Sequence, residues 1–306
     1  MIVENDRIIW LNGELVNVQD AKINVLSPTS QFGLNVFEGI PCYWNDSDNN
    51  LYAFRLDDHF DRLIRSASLL GIECKYTKDE LKDAFISAIK ANNYKENLSV
   101  RQTLFVYDFG TWSSHGPTGM FVAPIPKRKT SIEYNKDYLN VCISSFVRIS
   151  EKNISPKIKC GANYINSRVG QLEAINKGYD TCIFLNEKGT ISEAPGSCFF
   201  MVKDEKIITP TLDDSILDSI TRRTIIEIAR GLSMVIKEEE ISIEDMKQCD
   251  EAFLCGSSMS ITKIKKIDDK ELDVVNNKIT DKLIKAYLDV VCGKNSNYFR
   301  WLTKIY

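Results

Sequence analysis

The sequence predicts an α+β protein with two domains. Short strand patterns and helical patterns alternate through the first 126 residues, and strand patterns dominate again from about residue 139. Between them lies Pro124–Lys129, where two prolines and a run of charge interrupt both periodicities. With 306 residues, 43% of them hydrophobic, the chain can bury a substantial core. We expect a small domain over residues 1–126, a connecting loop over 127–136 and a larger domain over 137–306.

Turn residues delimit the predicted strands of the first domain. Asn12-Gly13, the strongest signal for a two-residue hairpin turn, separates two short apolar runs. The polar stretch 45–50 separates another pair, because its residues tolerate positive φ. The predicted strands are Ile8–Leu11, Leu15–Val18, Cys42–Trp44, Leu51–Phe54, Leu98–Tyr107 and Gly119–Pro124.

Two helices are predicted within the first domain. Apolar residues recur at helical spacing over Leu56–Leu70, and we expect Asp57 or Asp58 to cap its start. The segment Thr77–Glu80 has the pattern of a capping box and therefore predicts the start of a second helix.

The second domain is predicted to be richer in strands. We expect a short helix over Gly170–Lys177 and another over Thr221–Gly231, the latter closed by its glycine. Strands are predicted over Asp180–Asn186 and Ser197–Val202.

Composition excludes several functional classes. A net charge of −3 argues against a surface that binds nucleic acid, and no window of eighteen apolar residues predicts a membrane span. The nine cysteines form no C-x-x-C pair, which indicates reduced thiols, and only two histidines are present, which argues against a metal site. Since the N-terminus also lacks the pattern of a signal peptide, we expect a cytoplasmic protein without bound metal.

Three motifs in the second half carry chemistry. Lys159 opens the run KCGANY, Glu193 lies in GTISEAPGS, and the run SILDSITR follows at 215–222. A lysine amine can form a Schiff base with an aldehyde, and a carboxylate can pair with a protonated pyridine nitrogen. A helix that begins near Thr221 can take a phosphate at its N-terminus. Together these groups predict a site for pyridoxal phosphate (PLP).

With the N-terminal run FGLNVFEGI at 32–40, these motifs resemble the class IV aminotransferases, and within them the branched-chain amino acid aminotransferases. The resemblance extends from the run IWLNGE at 9–14 to Trp301. It implies the fold type IV architecture of PLP enzymes, with a small N-terminal α/β domain and a larger pseudo-barrel domain that carries the Schiff-base lysine. It also implies a homodimer.

The resemblance assigns most cofactor contacts. Lys159 is the Schiff-base lysine and the proton-transfer base, and Lys157 is its rival two residues earlier. Tyr164 hydrogen-bonds the phenolic oxygen of the cofactor, and Glu193 faces the pyridine nitrogen. Arg62 matches the phosphate arginine of the family, although helical periodicity leaves Arg55 and Arg65 open. The remaining expected cofactor contacts are Leu217, Ile220, Thr221, Gly256 and Ser257.

The expected substrate contacts are Phe37, Gly39, Arg101, Ser257 and Ser258. The chain departs from the family pattern near them: Phe32 and Ser99 replace tyrosines, and Lys127-Arg128 replaces an aromatic–glycine pair. We expect the two cations to change what the pocket binds. Asp218-Ser219 replaces Pro-Gly in the phosphate loop, and we expect Asp218 to point to solvent, because inward it would repel the phosphate.

The predicted reaction is PLP-dependent transamination between an L-branched-chain or other apolar amino acid and a 2-oxo acid such as 2-oxoglutarate. Another amino donor on the same fold, a D-amino acid or an amine, stays open, as does chemistry similar to 4-amino-4-deoxychorismate lyase. A non-catalytic binding protein is disfavoured, because Lys159 and Glu193 are both present.

Overall fold

The computed structural model describes residues 6–127 and 138–306. By its internal contacts the chain divides into two compact units. The first is Met1–Arg128, Ile158–Ala162 and Val290–Tyr306, and the second is Lys129–Lys157 and Asn163–Asp289. The predicted domain limits stay a prediction, and of the predicted loop 127–136 only Lys127 lies in the described residues.

The first unit contains a seven-stranded antiparallel sheet of order β15-β4-β3-β5-β6-β1-β2. Its strands are β1 Ile8–Leu11, β2 Glu14–Asn17, β3 Asn35–Asn45, β4 Asn50–Phe54, β5 Leu98–Val106, β6 Thr118–Pro126 and β15 Leu302–Lys304. The predicted strands of this region are therefore confirmed. The long strand β3 extends beyond its prediction and includes the run Phe37-Glu38-Gly39.

Helices of the first unit pack with its sheet around an apolar core. They are α1 Pro28–Phe32, α2 Leu56–Leu70 and α3 Lys78–Asn92. The capping box at Thr77 is confirmed. The predicted cap at Asp57 or Asp58 is wrong, because α2 starts after Arg55, whose φ is 51° and which makes no side-chain capping bond. Both aspartates lie in the first turn, where the helix dipole favours a negative charge.

The second unit contains a mixed eight-stranded sheet of order β11-β10-β9-β12-β13-β7-β8, with β14 paired to β13. Its strands are β7 Tyr138–Val147, β8 Thr181–Leu185, β9 Cys198–Lys203, β10 Lys206–Thr209, β11 Ile236–Glu238, β12 Glu251–Gly256, β13 Ser260–Ile267 and β14 Lys270–Glu271. Parallel pairs β7–β8, β13–β7 and β10–β11 are joined to antiparallel ones. The two predicted strands here are confirmed, and so is the α+β class.

The remaining helices of the described residues are α4 Asn163–Asn176, α5 Ile220–Gly231, α6 Ile243–Lys247, α7 Lys278–Val291 and a 3-10 helix over Ser296–Trp301. Helix α4 begins seven residues before its predicted start, so Tyr164 lies in its first turn. The predicted glycine closure of α5 is wrong: Gly231 is the last helical residue, and the cap is Leu232 with φ −91°. Within residues 6–127 and 138–306, no helix combines the length and apolarity that a membrane span requires.

Candidate active site

Lys159 is anchored through its backbone to two elements of the first unit. Its carbonyl accepts a hydrogen bond from the N–H of Phe37 on β3 (3.0 Å), and its N–H donates to Ser66 Oγ on α2 (3.2 Å). The next residue, Cys160, forms a bridge with Val36. These bonds explain why Ile158–Ala162 groups with the first unit. The Lys159 amine lies 4.8 Å from the centroid of the Phe37 ring, within the range of a cation–π contact.

The rival Lys157 lies in a different environment. Its amine is 3.3 Å from a Glu151 oxygen and 3.9 Å from an Asp213 oxygen, and its side chain is 34% exposed. Lys157 lies in a turn, and Cys160 contributes a single bridge. Lys157 thus already pairs with two solvent-facing carboxylates, whereas the Lys159 amine lies against the Phe37 ring. The structure therefore favours Lys159.

Arg62 belongs to a buried ionic cluster that we call the Glu38 cluster: Glu38, His59 and Arg62. Arg62 Nε donates to Glu38 Oε1 (2.7 Å) and Arg62 Nη2 to Glu38 Oε2 (2.6 Å). His59 Nδ1 lies 2.7 Å from Glu38 Oε2. Because two bonds from a planar guanidinium match a carboxylate, the orientation of Arg62 is fixed by Glu38. The sequence patterns assigned no role to Glu38 or His59.

Charge pairing sets the ionisation of this cluster. Burial alone would raise the pKa of the Glu38 carboxyl, but the charge and hydrogen bonds of Arg62, with a smaller contribution from His59, hold that pKa well below its usual range. Burial lowers the pKa of His59, against the opposing effect of Glu38. Glu38 is therefore a carboxylate that can only accept hydrogen bonds, and His59 Nδ1 must be the donor.

The two rival arginines lie elsewhere on the same helix. Arg55 precedes α2, donates from Nε to Asp58 Oδ2 (2.8 Å) and stacks 4.5 Å from the centroid of the Trp301 ring. Arg65 is exposed. Of these three, Arg62 is the one whose guanidinium is buried against β3, which favours it as the phosphate arginine.

Three of the expected substrate contacts, Phe37, Gly39 and Arg101, share one face of the first sheet. In the β3–β5 register, Phe37 lies opposite Thr103 and Gly39 opposite Arg101, and cross-strand partners point to the same side. The Arg101 guanidinium lies 4.2 Å from the centroid of the Phe37 ring. A Cβ placed on Gly39 would meet nothing nearer than Ser99 Oγ at 3.9 Å. The missing side chain of Gly39 therefore leaves space beside Phe37 and Arg101.

The departures from the family pattern fall in different places. Ser99 lies on this same face, two residues from Arg101, whereas Phe32 ends α1 with its ring largely exposed. The Lys127 amine lies 5.4 Å from the Tyr43 ring centroid. Tyr43 is six residues along β3 from Phe37, which is about 20 Å at about 3.3 Å per residue. Lys127 is therefore not beside Phe37, and Arg128 lies outside the described residues. The expectation that the two cations change what the pocket binds stays a prediction.

Glu193 is a buried carboxylate in the second unit, 3% exposed. Its Oε1 accepts from Arg148 Nη2 (2.8 Å) and Nε (3.0 Å), and its Oε2 accepts from the Leu217 N–H (3.1 Å). The Glu193 carbonyl accepts from Phe184 N on β8, and Ala194 bridges Ser197 to make a tight turn. This turn fixes the backbone of Glu193. Leu217, which was expected to contact the cofactor, thus donates its N–H to the Glu193 carboxylate.

Arg148, directly after β7, is a residue that sequence reasoning missed. It is buried, and its Nη1 donates to Asn166 Oδ1 (2.9 Å) and to Ser167 Oγ (3.3 Å) on α4. The same guanidinium therefore connects Glu193 to the helix whose first turn carries the half-buried Tyr164. No local motif marks this arginine in the sequence.

Two turns of the second unit supply the remaining expected contacts. Ser219 caps α5 by accepting from Arg222 N (3.3 Å), so Ile220 and Thr221 occupy the first turn, whose N–H groups have no partner within the helix. Gly256 ends β12 before Ser257 and Ser258. A Cβ on Gly256 would lie 3.1 Å from the Gly196 carbonyl oxygen, so a glycine there lets this turn approach the one that follows Glu193.

The prediction that Asp218 points to solvent is wrong. Its side chain is 15% exposed, and its Oδ1 lies 3.4 Å from Arg223 Nε. A cation within the first turn of α5 and the positive end of the helix dipole both stabilise a carboxylate at this position. Asp218 is thus accommodated by local charge.

The chain's own groups fit PLP. In the first unit, Lys159 supplies an amine and the buried Arg62 a cation that suits a phosphate. In the second unit, Glu193 supplies a fixed carboxylate that suits a protonated ring nitrogen, Tyr164 a phenol, and the start of α5 N–H donors that suit a phosphate.

Comparisons with known proteins agree with this chemistry. The family profile described as amino-transferase class IV matches residues 35–267. The branched-chain-amino-acid aminotransferase of Pseudomonas aeruginosa is 31% identical over 317 residues, covering 99% of each chain. Among solved structures, the branched-chain aminotransferase of Thermoproteus uzoniensis with norvaline has a TM-score of 0.92 at 36% identity, covering 98% of this chain and 99% of that one. The Thermobaculum terrenum enzyme in its PLP form has a TM-score of 0.92 at 35% identity, covering 99% of both.

Proposed function

The chain belongs to the class IV aminotransferases, and we propose that it moves the amino group of a branched-chain or other apolar L-amino acid to a 2-oxo acid such as 2-oxoglutarate, with PLP as its cofactor. When bound, PLP supplies an electron-accepting ring that stabilises negative charge at the substrate Cα.

Lys159 is the covalent anchor of the cofactor and the base that carries the proton from the substrate Cα. Its backbone is fixed by Phe37 and Ser66, so the amine swings from a rigid point. Glu193, itself held by Arg148 and the Leu217 N–H, would accept a hydrogen bond from the protonated ring nitrogen and stabilise its positive charge. Tyr164 donates its hydroxyl to the phenolic oxygen.

The groups that would hold the phosphate are Arg62 in the first unit and, in the second unit, the N–H groups and hydroxyl at Ile220 and Thr221 and the Gly256-Ser257 turn. Phe37 and Gly39 form the apolar pocket for the donor side chain, and Arg101 beside them binds the carboxylate of an acidic partner. Ser257 and Ser258 bind the substrate α-carboxylate through their backbone and hydroxyl donors.

The observation that carries the proposal is the buried pair Glu193–Arg148. A buried carboxylate is costly unless it is paired, and here an arginine and a backbone N–H fix it in one orientation. A fixed anion of this kind is what electron-sink chemistry needs at the ring nitrogen.

The proposal is tested by removing the amine and by varying the donor. Lys159→Ala should abolish turnover, the visible absorbance of lysine-bound PLP and borohydride trapping of the cofactor on the chain. A screen of the wild type with L-leucine, L-glutamate, D-alanine and an aryl amine should show the largest rate with L-leucine. Trapping at another residue would reject Lys159, and a preference for D-alanine or the amine would reject the donor class.

We extend the proposal to a cytoplasmic homodimer. All nine cysteines are thiols and none forms a disulfide, which suits a reducing compartment. Large apolar side chains are exposed at Ile165 and Leu172, two turns apart on α4, and at Phe109 and Trp112, a pattern typical of interfaces. Light scattering should give twice the chain mass, and a monomer would contradict this assembly.

A further inference from the structure

We infer that Glu38 and His59 are positioning residues, which hold the Arg62 guanidinium in the orientation that binds the cofactor phosphate. The inference rests on the proposed function, in which Arg62 is a phosphate ligand. It assigns a role in cofactor binding to two buried side chains that act through Arg62.

The hydrogen bonds of the Glu38 cluster fix Arg62 in both plane and position. Glu38 is fully buried and accepts from the Nε and Nη2 atoms of Arg62, and two parallel bonds suppress rotation of the guanidinium. His59 donates from Nδ1 to the Oε2 atom that also accepts from Arg62 Nη2. The position of the Glu38 carboxylate is therefore fixed by a second side chain, His59, in addition to the arginine that it orients.

The cluster connects the sheet to the helix. Successive side chains of a strand alternate between faces, so Glu38 points away from the face that carries Phe37 and Gly39 and bonds to α2. His59, Arg62 and Ser66 recur at i, i+3 and i+7 along one stripe of α2. Ser66 accepts from the Lys159 N–H. One face of α2 thus carries both the proposed phosphate arginine, Arg62, and the Ser66 hydroxyl that holds the backbone of Lys159.

Electrostatics alone would give Glu38 the opposite effect. A negative charge beside an anion site repels the anion, so a carboxylate that acted only through its charge would weaken phosphate binding. A carboxylate that orients Arg62 strengthens it, because charge-assisted bonds depend on geometry. Replacing Glu38 by the neutral, nearly isosteric glutamine separates the two effects. Phosphate binding should tighten if the charge of Glu38 dominates, and weaken if its orientation of Arg62 dominates.

The second buried nitrogen of His59 narrows its role further. His59 Nε2 has no hydrogen-bond partner among the residues that the structure describes. The imidazole therefore acts in this cluster through Nδ1 alone. An asparagine amide can place a donor near the position of Nδ1, whereas leucine has the bulk without the donor. Replacement by Asn should therefore retain the function of His59, and replacement by Leu should lose it.

The experiment measures dissociation constants of the full-length chain for PLP and for pyridoxal, which lacks the phosphate. We expect Glu38→Gln to weaken PLP binding about tenfold or more, and His59→Leu several-fold, comparable to the loss of an orienting outer partner in a metal site. His59→Asn should stay within about twofold of the wild type. Pyridoxal affinity should change by less than about twofold in every variant, since Arg62 acts on the phosphate.

Asp58→Asn is the matched control, because it removes the carboxylate partner of Arg55, another arginine at α2. It should leave PLP affinity unchanged. Equal or tighter PLP binding by Glu38→Gln would overturn the inference, and so would an equal loss for pyridoxal. If Glu38→Gln does not fold, the contrast between His59→Leu and His59→Asn decides, and equal affinities there would reject it. A wild type that binds neither compound would instead reject the proposed function.

Discussion

Each unit buries an arginine–glutamate pair that includes a residue expected to contact the cofactor, with the roles reversed. In the first unit Arg62 is the group proposed to touch the cofactor, and Glu38 orients it. In the second unit Glu193 is that group, and Arg148 orients it. Each orienting residue has a further anchor: His59 bonds to Glu38, and Asn166 and Ser167 bond to Arg148.

This contrast shows why a buried ion pair is weak evidence for stability but useful evidence for function. Desolvation of two charges costs several kcal/mol, and their attraction repays it only when geometry is good and other bonds are satisfied. Both pairs meet that condition through neighbours on other elements. A charge kept at this cost in one orientation is suited to bind a fixed, opposite charge of a ligand.

The largest expected effect lies on the acidic residue of the second pair. Glu193→Gln keeps the shape but removes the charge that holds the proton on the ring nitrogen, so kcat should fall by about 10²–10³-fold. PLP affinity should fall far less, because Arg62 and α5 bind the phosphate. Steady-state kinetics and PLP titration measure the two quantities. If Glu193→Gln lost PLP affinity but kept kcat, Glu193 would act in cofactor binding and not at the ring nitrogen during the reaction.

The next effect tests Arg148. In Arg148→Met the Glu193 carboxylate loses a cation, and breaking a buried pair costs about 3–5 kcal/mol. We expect a large drop in the melting temperature of the PLP-free protein. Added PLP should raise that temperature more than in the wild type, because the ring nitrogen gives Glu193 a new positive partner. An equal gain in both proteins would show that Arg148 does not act through Glu193.

Gly39→Ala changes the face of β3 that carries Phe37 and leaves the face that carries Glu38 unchanged. The added methyl finds space in the protein, with Ser99 Oγ at 3.9 Å, so the melting temperature should hold. It fills part of the proposed donor pocket, where one methylene changes specificity by about 10–200-fold. We expect kcat/KM for L-leucine to fall relative to that for a smaller donor, with PLP affinity unchanged. A uniform loss for all donors would place the pocket elsewhere.

Acid should destabilise the folded protein at the Glu38 cluster, because folding lowers the pKa of both His59 and Glu38. The pKa of His59 is lowered by burial, so below its ordinary value of 6.5 the unfolded chain binds more protons and stability falls. The pKa of Glu38 is also lowered, so its contribution is complete above 4.5 and is lost as the pH falls further. The melting temperature should therefore decline from about pH 6.5 downward.

His59→Asn is the sharper form of this test, because the chain has one other histidine, His115, which is exposed. The variant should flatten the decline between pH 6.5 and 5 and keep the decline below 4.5. An unchanged profile would show that His59 does not titrate in this range.

Much of the fold follows from local sequence, because turns and caps act within a few residues. Asn12-Gly13 and the Thr77 capping box placed their elements correctly. The failures occur where a side chain finds a partner that no cap or turn pattern reveals. Helix α4 starts at Asn163 and not at Gly170, and the buried Asn163 side chain donates to the Ser155 carbonyl eight residues earlier. The Asp218 side chain is largely buried and pairs with Arg223, near the start of α5.

The candidate site divides in the same way. Residues inside a motif, such as Lys159, Glu193 and Arg62, were named from the sequence, although their roles stay a prediction. Arg148 and Glu38 were missed as orienting groups, because their partners lie 45 and 24 residues away in the chain. Only folding brings such pairs together.

The smallest expected effect concerns the rival lysine. Lys157 pairs with exposed carboxylates, and ion pairs of this kind contribute about 0–1 kcal/mol. Lys157→Ala should therefore change kcat/KM by less than about twofold and lower the melting temperature slightly. It is the matched control for Lys159→Ala, two residues away and equal in the charge it removes. If Lys157→Ala lost the covalent cofactor while Lys159→Ala kept it, Lys157 would be the reactive amine. The backbone bonds of Lys159 to β3 and α2 would then serve the fold alone.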